Sequence, residues 1–446
     1  MSTTGSADRL ISLDVFRGMT IAGMVLVNNP GGSPVYWPLE HAEWNGLTPT
    51  DWIFPFFLFI VGVSISISLG RRREQGITGK TYRHIVVRAL SIYLLGAAVS
   101  VVPFLQFQAT DAPDPLKLII WLAFCSAILF LLLRNYKVAA ILAVVALVGI
   151  GGLNLAGYNV VPYAWGTFRY AGVLQRISVC YLVTSLIFLH TNWKQLVGIS
   201  VVLLLGYWLI MTVIPVPGCE VTTFNDKACN LAAYLDRMII TEPHIWRGGK
   251  VYDPEGILST IPAIVTTISG VLTGLWLTRR DEGGGMRDET AAGDHAALAK
   301  VAAMFAFGTM LLALGLIWNS YVPMNKSLWT SSYVLATTGI ALLVLSCCYW
   351  LIDIKGYVRW AWPFRVFGAN ALALFVFTGF FARMIAAYRV NGPDGTLISV
   401  SRWAMNNIFL PVFSPIDASL AFAITFILLW LFLMWLLYRK QIYIKV

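Results

Sequence analysis

The chain has 446 residues, of which 58% are apolar and only 12% charged, with a mean hydropathy of +0.72 and a formal net charge of +10. A water-soluble domain carries about 45–50% apolar and about 25% charged residues, so a soluble globular protein is excluded. The positive charge is gathered in short segments between apolar runs, such as "RRREQ", "RNYK", "WLTRR" and "DIKGYVR". That placement marks a cytoplasmic membrane face and gives no support to a nucleic-acid partner.

Twelve apolar segments run at 11–28, 50–70, 85–104, 116–133, 138–156, 171–190, 196–215, 257–278, 300–318, 332–352, 366–387 and 416–438. Each is close to the roughly 20 residues that a helix needs to cross a bilayer. The expected fold is therefore all-α, a polytopic membrane bundle of about twelve helices forming one membrane-embedded domain over 1–446. The segments at 138–156 and 366–387 are the least distinct, which leaves ten as the lower bound. The polar start "MSTTGSADR" leads into the first span, which is expected to act as its own insertion signal.

With the N-terminus placed in the cytoplasm, the segments 71–84, 134–137, 191–195, 279–299, 353–365 and 439–446 fall on the same side, and these are the basic ones. The fit predicts an even number of spans and both ends cytoplasmic. The segment 279–299, "RRDEGGGMRDETAAGDHAALA", reads as a solvated linker. The loops 29–49, 157–170, 216–256, 319–331 and 388–415 fall outside and are rich in Trp, Tyr, Pro and Gly. No internal repeat is evident, which disfavours folds built from inverted repeats. Cys125, Cys180, Cys347 and Cys348 lie in apolar runs and read as small core residues. Cys219 and Cys229 share the loop 216–256 and form a disulfide if that loop is extracytoplasmic.

In chain order, the first span opens with Asp14 and Arg17 at i,i+3 spacing, a local ion pair or a functional one. It ends at Asn28. The following loop carries "EHAEWNGLTPTDW", with His41 among Trp37, Trp44 and Trp52 and with Asp51 opening the second span. Aromatic belts need no catalytic role. "TPTD" also makes a helix start, with Thr48 as cap, Pro49 in the first turn and Asp51 three residues after the cap. His84, His190 and His295 fall at cytoplasmic span ends or in the linker and read as interfacial residues, and His244 falls outside. Arg176 lies about two turns inside the sixth span, where a charge is costly and commonly functional. Asp253 and Glu255, in "VYDPEGIL", either receive a cationic amine or cap the next helix. No metal-binding motif, nucleotide loop or GxSxG nucleophile motif is found, and "DEGGGM" lacks the strand and helix that a phosphate loop requires.

The series "RLISLDVFRGMTIAGMVLVNN", "HAEWNGLTPTDWIFPFFLFIVG", "GVLQRI", "CNLAAYLDR", "YDPEGILSTIPAIVTTISGVLTG", "MNKSLWTSSYVL" and "FGANAL" resembles, in this order, the transmembrane heparan-alpha-glucosaminide N-acetyltransferase family. The resemblance runs from near residue 10 to about 372. It implies a transmembrane acyltransferase in which cytoplasmic acetyl-CoA gives its acetyl group to the amine of an amino sugar on the far side of the membrane. It makes His41 the catalytic histidine and implicates Asn28. In a bacterium it implies the cytoplasmic (inner) membrane, His41 on the periplasmic side, a homodimer, and acetyl-CoA as co-substrate with no metal.

On that reading His41 is either the general base or a transient acetyl carrier. Asn28 would hydrogen-bond the developing oxyanion, and Asp51 or Glu43 would orient the imidazole. Glu255 and Asp253, with Trp44 and Asn45, would bind the sugar. Arg176 would lie along the internal path of the donor, and Gln175 and Arg17 are further candidates to bind it. Arg71, Arg72, Arg73, Arg83, Arg134, Lys137, Arg359 and Arg365 are the candidates for its phosphates at the inner face. Two other classes remain open: a transporter of N-acetylglucosamine or a related sugar, and an O-acyltransferase acting on envelope polysaccharide.

Overall fold

The computed structural model describes residues 10–278, 289–392 and 394–444. In chain order its α-helices are α1 (Ile11–Asn28), α2 (Ile53–Glu74), α3 (Gly79–Val101), α4 (Asp114–Leu132), α5 (Tyr136–Leu155), α6 (Val173–His190), α7 (Trp193–Val213) and α8 (Leu231–Leu235). They continue as α9 (Thr260–Thr278), α10 (Glu289–Trp318), α11 (Ser331–Cys348), α12 (Trp362–Ala369), α13 (Ala371–Ala387), α14 (Val400–Ala404) and α15 (Pro415–Arg439). Among the described residues, eleven helices are long and apolar enough to cross a membrane, and α12 with α13 form a twelfth candidate bent by 83°. A short antiparallel ribbon, β1 (Arg389–Asn391) and β2 (Leu397–Ser399), is the one strand pair among the described residues. The architecture is the expected all-α membrane bundle.

Helices α1, α2, α6, α9 and α11 are mostly buried and make the centre, while α5, α7, α10 and α15 are mostly exposed and surround it. Their exposed faces carry residues such as Val144, Val202, Phe307 and Phe432, as expected where the neighbour is lipid and not water. Apolar contact with lipid tails supplies little drive for helix association, so close backbone approach matters more. Glycine provides it between α2 and α9. A Cβ on Gly62 would lie 1.9 Å from the Thr267 carbonyl oxygen, and one on Gly270 would lie 1.9 Å from the Phe59 carbonyl oxygen. Any side chain there drives the two backbones apart.

Three expectations are corrected. The run 366–387 is not one straight span. Asn370 leaves helical geometry (φ −130°, ψ 36°), and its amide binds the C-terminal segment: Nδ2 donates to the Ile442 carbonyl at 3.0 Å and Oδ1 accepts from Ile444 N at 2.7 Å. An apolar run reports hydrophobicity and cannot report a bend made by one side chain. The linker 279–299 is shorter than expected, because residues 289–299 are already in α10; residues 279–288 lie outside the described residues. Cys347 is exposed on the bundle surface and not in the core, unlike Cys180 and Cys348.

The start of α1 and the segment 442–444 lie on one face. Asp353, just past α11, accepts from Ile11 N and Ser12 N at 3.1 and 3.2 Å and so caps the start of α1. α12 crosses the same end of α1, since a Cβ on Gly368 would meet the Asp14 carbonyl oxygen at 2.1 Å. From there α13 runs to the opposite face, where Arg389 N donates to Asp114 at the start of α4. The loop that carries His41 follows the far end of α1 and sits on that opposite face.

Replacing Gly270 with Val is expected to lower the thermal midpoint of the detergent-solubilised protein markedly, since overpacking costs about 1–3 kcal/mol or more. Gly152→Val, at a position with open space around it, serves as the control. Equal midpoints for the two variants would contradict the close approach of α2 and α9.

Candidate active site

The loop between α1 and α2 is folded by its own polar residues. Thr48 Oγ1 donates to the Glu40 carbonyl at 2.6 Å, and Thr50 Oγ1 donates to the Pro38 carbonyl at 2.9 Å. Gly46 has φ +126°, a conformation that only glycine adopts without strain, and its N–H donates to the Met324 carbonyl at 2.8 Å. This is why "WNG" reaches across to the loop 319–330.

Asp51 lies at the centre of the loop, with a side chain only 1% exposed. Its two oxygens have separate tasks. Oδ2 accepts from Thr48 N at 3.1 Å and from Ala42 N at 3.2 Å, with Thr48 Oγ1 3.0 Å away, closing the capping box at the start of the second span. Oδ1 accepts the Nδ1–H of His41 at 2.7 Å. The capping role and the histidine-orienting role are both fulfilled by one carboxylate. The backbone of Asp51 is held in turn by Tyr333 of α11, whose hydroxyl donates to the Asp51 carbonyl at 2.6 Å. With Nδ1 protonated, the lone pair of His41 is on Nε2. Glu43, the alternative partner, is exposed, and no hydrogen bond joins it to His41 among the described residues.

A lysine that sequence reasoning did not single out completes this corner. Lys326 Nζ lies 3.0 Å from both ring nitrogens of His41 and 3.9 Å from Asp51 Oδ1. Burial pushes its ammonium down from the usual lysine range, and the charges of Asp51 and Glu255 act in the opposite direction. Its only sequence signal is its position inside "MNKSLW".

Glu255 belongs to a second charged group that adjoins the first. Arg169 bonds both Asp253 and Glu255, with its Nε 2.9 Å from Asp253 Oδ2. Burial disfavours the Glu255 carboxylate, but Arg169, Arg176 and Lys326 outweigh it and hold the carboxyl below its usual range. The two acidic residues expected to receive an amine thus have Arg169 as their first partner, and Asp253 has no exposed side-chain surface. Asp236, in "AAYLDR", shapes the turn that presents them. It accepts from Asp253 N at 3.3 Å and Ile257 N at 3.0 Å. Burial pushes its carboxyl up to about 6 against those two N–H groups.

Arg176, near the start of α6, is 2% exposed. Nη2 bonds the Gly256 carbonyl and Ser259 Oγ, and the guanidinium lies 5.1 Å from the ring centre of Trp329. Among the described residues its Nε and Nη1 have no hydrogen-bond partner. Gln175 is buried against α3, where Gly96 leaves room for its amide. Trp44 and Asn45 tie the His41 loop to the loop 216–256: Trp44 Nε1 donates to the Phe224 carbonyl at 2.8 Å and Asn45 Nδ2 to Asn225 Oδ1 at 2.7 Å. Asn325 Nδ2 donates to Asn45 Oδ1 at 3.0 Å. A disulfide between Cys219 and Cys229 closes the segment they dock on.

Asn28 is the exposed last residue of α1, and no hydrogen bond links it to His41 among the described residues. Arg17 lies 3.4 Å from Asp14 and 3.5 Å from the Gly368 carbonyl. Arg71, Arg83, Arg134 and Arg359, like Arg72 and Lys137, are exposed at the helix ends opposite His41, while Arg73 donates to the Phe188 carbonyl at 3.1 Å. His244 is engaged elsewhere, donating from Nδ1 to the Phe168 carbonyl at 2.6 Å.

Residues 9–169 match the family model described as "Heparan-alpha-glucosaminide N-acetyltransferase, catalytic". The chain is 26% identical over 423 residues to the mouse heparan-alpha-glucosaminide N-acetyltransferase, covering 83% of this chain and 53% of the relative. It is 26% identical over 413 residues to the human protein of the same name, covering 82% and 52%. The chain is thus similar to this family over most of its length. It spans about half the length of the curated relatives it matches. The segment matched by the family model holds Asn28, His41, Asp51 and Arg169, whereas Arg176, Asp253, Glu255 and Lys326 lie beyond it.

Asp51→Asn is expected to disturb both tasks of the carboxylate. An amide cannot accept at both of its ends, so either the capping box or the Nδ1–H bond loses its partner. Any acetyl transfer that depends on His41 should fall by about 10²–10⁴-fold, the scale seen when a histidine loses its orienting carboxylate. Full turnover in folded Asp51→Asn protein would remove Asp51 from the chemistry.

Proposed function

We propose that the protein moves an acetyl group from acetyl-CoA on the cytoplasmic side to the amine of a glucosamine-like sugar on the other side of the membrane. The observation that carries this reading is the His41–Asp51 pair, held at a half-exposed mouth at the start of the second span. Similarity to proteins named heparan-alpha-glucosaminide N-acetyltransferase supports it.

The chemistry follows from the lone pair that the Nδ1-protonated tautomer leaves on His41 Nε2. In direct transfer the amine nitrogen attacks the thioester carbonyl carbon, and Nε2 takes the amine proton. The carbon–sulfur bond then breaks, and the proton passes to the departing thiolate. In the two-step route Nε2 attacks the thioester carbonyl carbon and the carbon–sulfur bond breaks, releasing the thiolate. The neutral amine then attacks the acyl carbon, the bond from that carbon to Nε2 breaks, and the amine proton passes through the freed Nε2 to the thiolate. Both routes use the same atom and the same Asp51. Asn28 is the proposed hydrogen-bond donor to the carbonyl oxygen as negative charge develops there. Glu255 and Asp253 are held by Arg169 beside this mouth, and the acceptor amine reacts in its neutral form.

The donor is proposed to enter from the opposite face, with its phosphates met by arginines such as Arg71, Arg83, Arg134 and Arg359. Arg176 offers to a polar part of the donor inside the bundle two guanidinium nitrogens that have no hydrogen-bond partner among the described residues. The concentration of basic helix ends on one face supports a cytoplasmic assignment for it. The disulfide in the loop that docks on Trp44 and Asn45 supports an oxidising, extracytoplasmic side for His41.

Purified protein supplied with acetyl-CoA and a panel of amino sugars should release free thiol, and His41→Ala should lower the rate by at least about 10²-fold. Undiminished transfer in that variant would remove His41 from the mechanism. Uptake of labelled sugar into vesicles without consumption of acetyl-CoA would replace the enzyme reading with transport. For sidedness, intact cells treated with a membrane-impermeant reductant and then an impermeant maleimide should be labelled at Cys219 and Cys229. Labelling of these two cysteines only after lysis would reverse the orientation.

A further inference from the structure

Lys326 stands between the two charged groups of the site, and the proposed reaction does not yet use it. Its Nζ is 3.0 Å from Nδ1 and 3.0 Å from Nε2 of His41, and 3.9 Å from the Asp51 oxygen that accepts the Nδ1–H. Its placement does not depend on a flexible loop tip. Asn325, the preceding residue, is fully buried and tied to Asn45 through Nδ2, to Leu328 N through Oδ1 and to Thr330 Oγ1 through its own N–H. On the other side, Ser327 bonds the Tyr252 hydroxyl. The backbone that carries Lys326 is therefore fixed against the His41 loop, α11 and the segment that presents Glu255.

The charges around His41 oppose one another. A buried carboxylate 2.7 Å from Nδ1 favours the imidazolium, and an imidazolium cannot accept a proton or attack a carbonyl. A cation equally close to both nitrogens favours the neutral ring. The groups that face this pair are Asp51 at the start of the second span, Tyr333 of α11 on the Asp51 carbonyl, and Glu255 from the segment before α9. Behind Glu255 stand Arg169 and Arg176. Glu40 and Glu43 of the same loop are exposed to solvent. Lys326 is the one cation that the described residues place within hydrogen-bond distance of the ring.

We propose that Lys326 is a positioning residue whose ammonium, held between Asp51 and Glu255, keeps His41 neutral with its lone pair on Nε2. Asp51 selects the tautomer, and Lys326 prevents the same carboxylate from fixing a second proton on the ring. The acceptor amine then meets an unprotonated imidazole. This deepens the acetyltransferase reading, since it concerns the same histidine, but it can be tested without any acetyl transfer.

The test uses the full-length protein in detergent and diethylpyrocarbonate, which modifies neutral imidazole. Modification of the His41 peptide is followed by mass spectrometry as a function of pH, in wild type, Lys326→Met and Lys326→Arg. In Lys326→Met the pH of half-maximal modification should rise by about one unit, so that reactivity below the midpoint falls about tenfold. Lys326→Arg should restore the wild-type profile. If Lys326→Met does not fold, Lys326→Gln carries the same expectation. An unmoved profile in the uncharged variant overturns the proposal, and so does failure of Lys326→Arg to restore it. The acid limb of the acetyl-transfer rate should shift in parallel. A shift in modification with no transfer in any form of the protein leaves this inference standing and rejects the enzyme reading. A loss of transfer with unshifted modification rejects the inference alone.

Discussion

The site depends on one buried carboxylate. Asp51 ends the loop after the first span and begins the second, and its two oxygens divide their bonds between the helix start and the histidine. A buried carboxylate is costly unless its lone pairs are met. Here Thr48, Ala42 and His41 meet them, so the requirement that stabilises the helix start also fixes the imidazole. The tautomer of His41 follows from helix capping.

Around this carboxylate the protein alternates charge. Asp51, Lys326, Glu255 and Arg169 form a series in which each ion has opposite neighbours, with Arg176 and Asp253 at the far end. Four separate parts of the chain contribute: the loop after α1, the end of the loop before α6, the segment before α9 and the loop before α11. Removing a single member would leave a buried charge without compensation, which costs more than an isolated surface pair is worth. The glycine contact of α2 with α9 is what brings the second span, which begins at Asp51, alongside the helix that follows Glu255. Packing in the bundle and charge balance at its mouth are therefore coupled.

Much of this was legible in the chain. Most of the twelve apolar runs correspond each to one observed helix, because length and hydrophobicity are set locally; the exceptions are 366–387, divided between α12 and α13, and α10, which starts well before its run. "TPTD" was legible as a capping box, and His41 with Asp51 as a candidate pair. The bend at Asn370 was not, because it depends on a C-terminal segment more than 70 residues away. Lys326 was not, because a lone lysine in an outer loop looks like any solvated charge. Arg169 was missed for the same reason, so Asp253 and Glu255 looked open to a ligand when their first partner was an arginine of the chain itself.

The sequence by itself determined the solvent of this protein, the approximate positions of its membrane spans, the side of the charged segments relative to one another, and the local geometry of the His41 loop. These follow from hydropathy, chain length and short-range hydrogen bonding, none of which needs a distant partner. Only the tertiary structure decided which charges meet. The neighbours of Lys326 lie about 70 and 280 residues away in sequence, and electrostatic interaction depends on separation in space, which chain order does not encode. The histidine was therefore visible in the sequence, and the charges proposed to set its protonation became visible only in the fold.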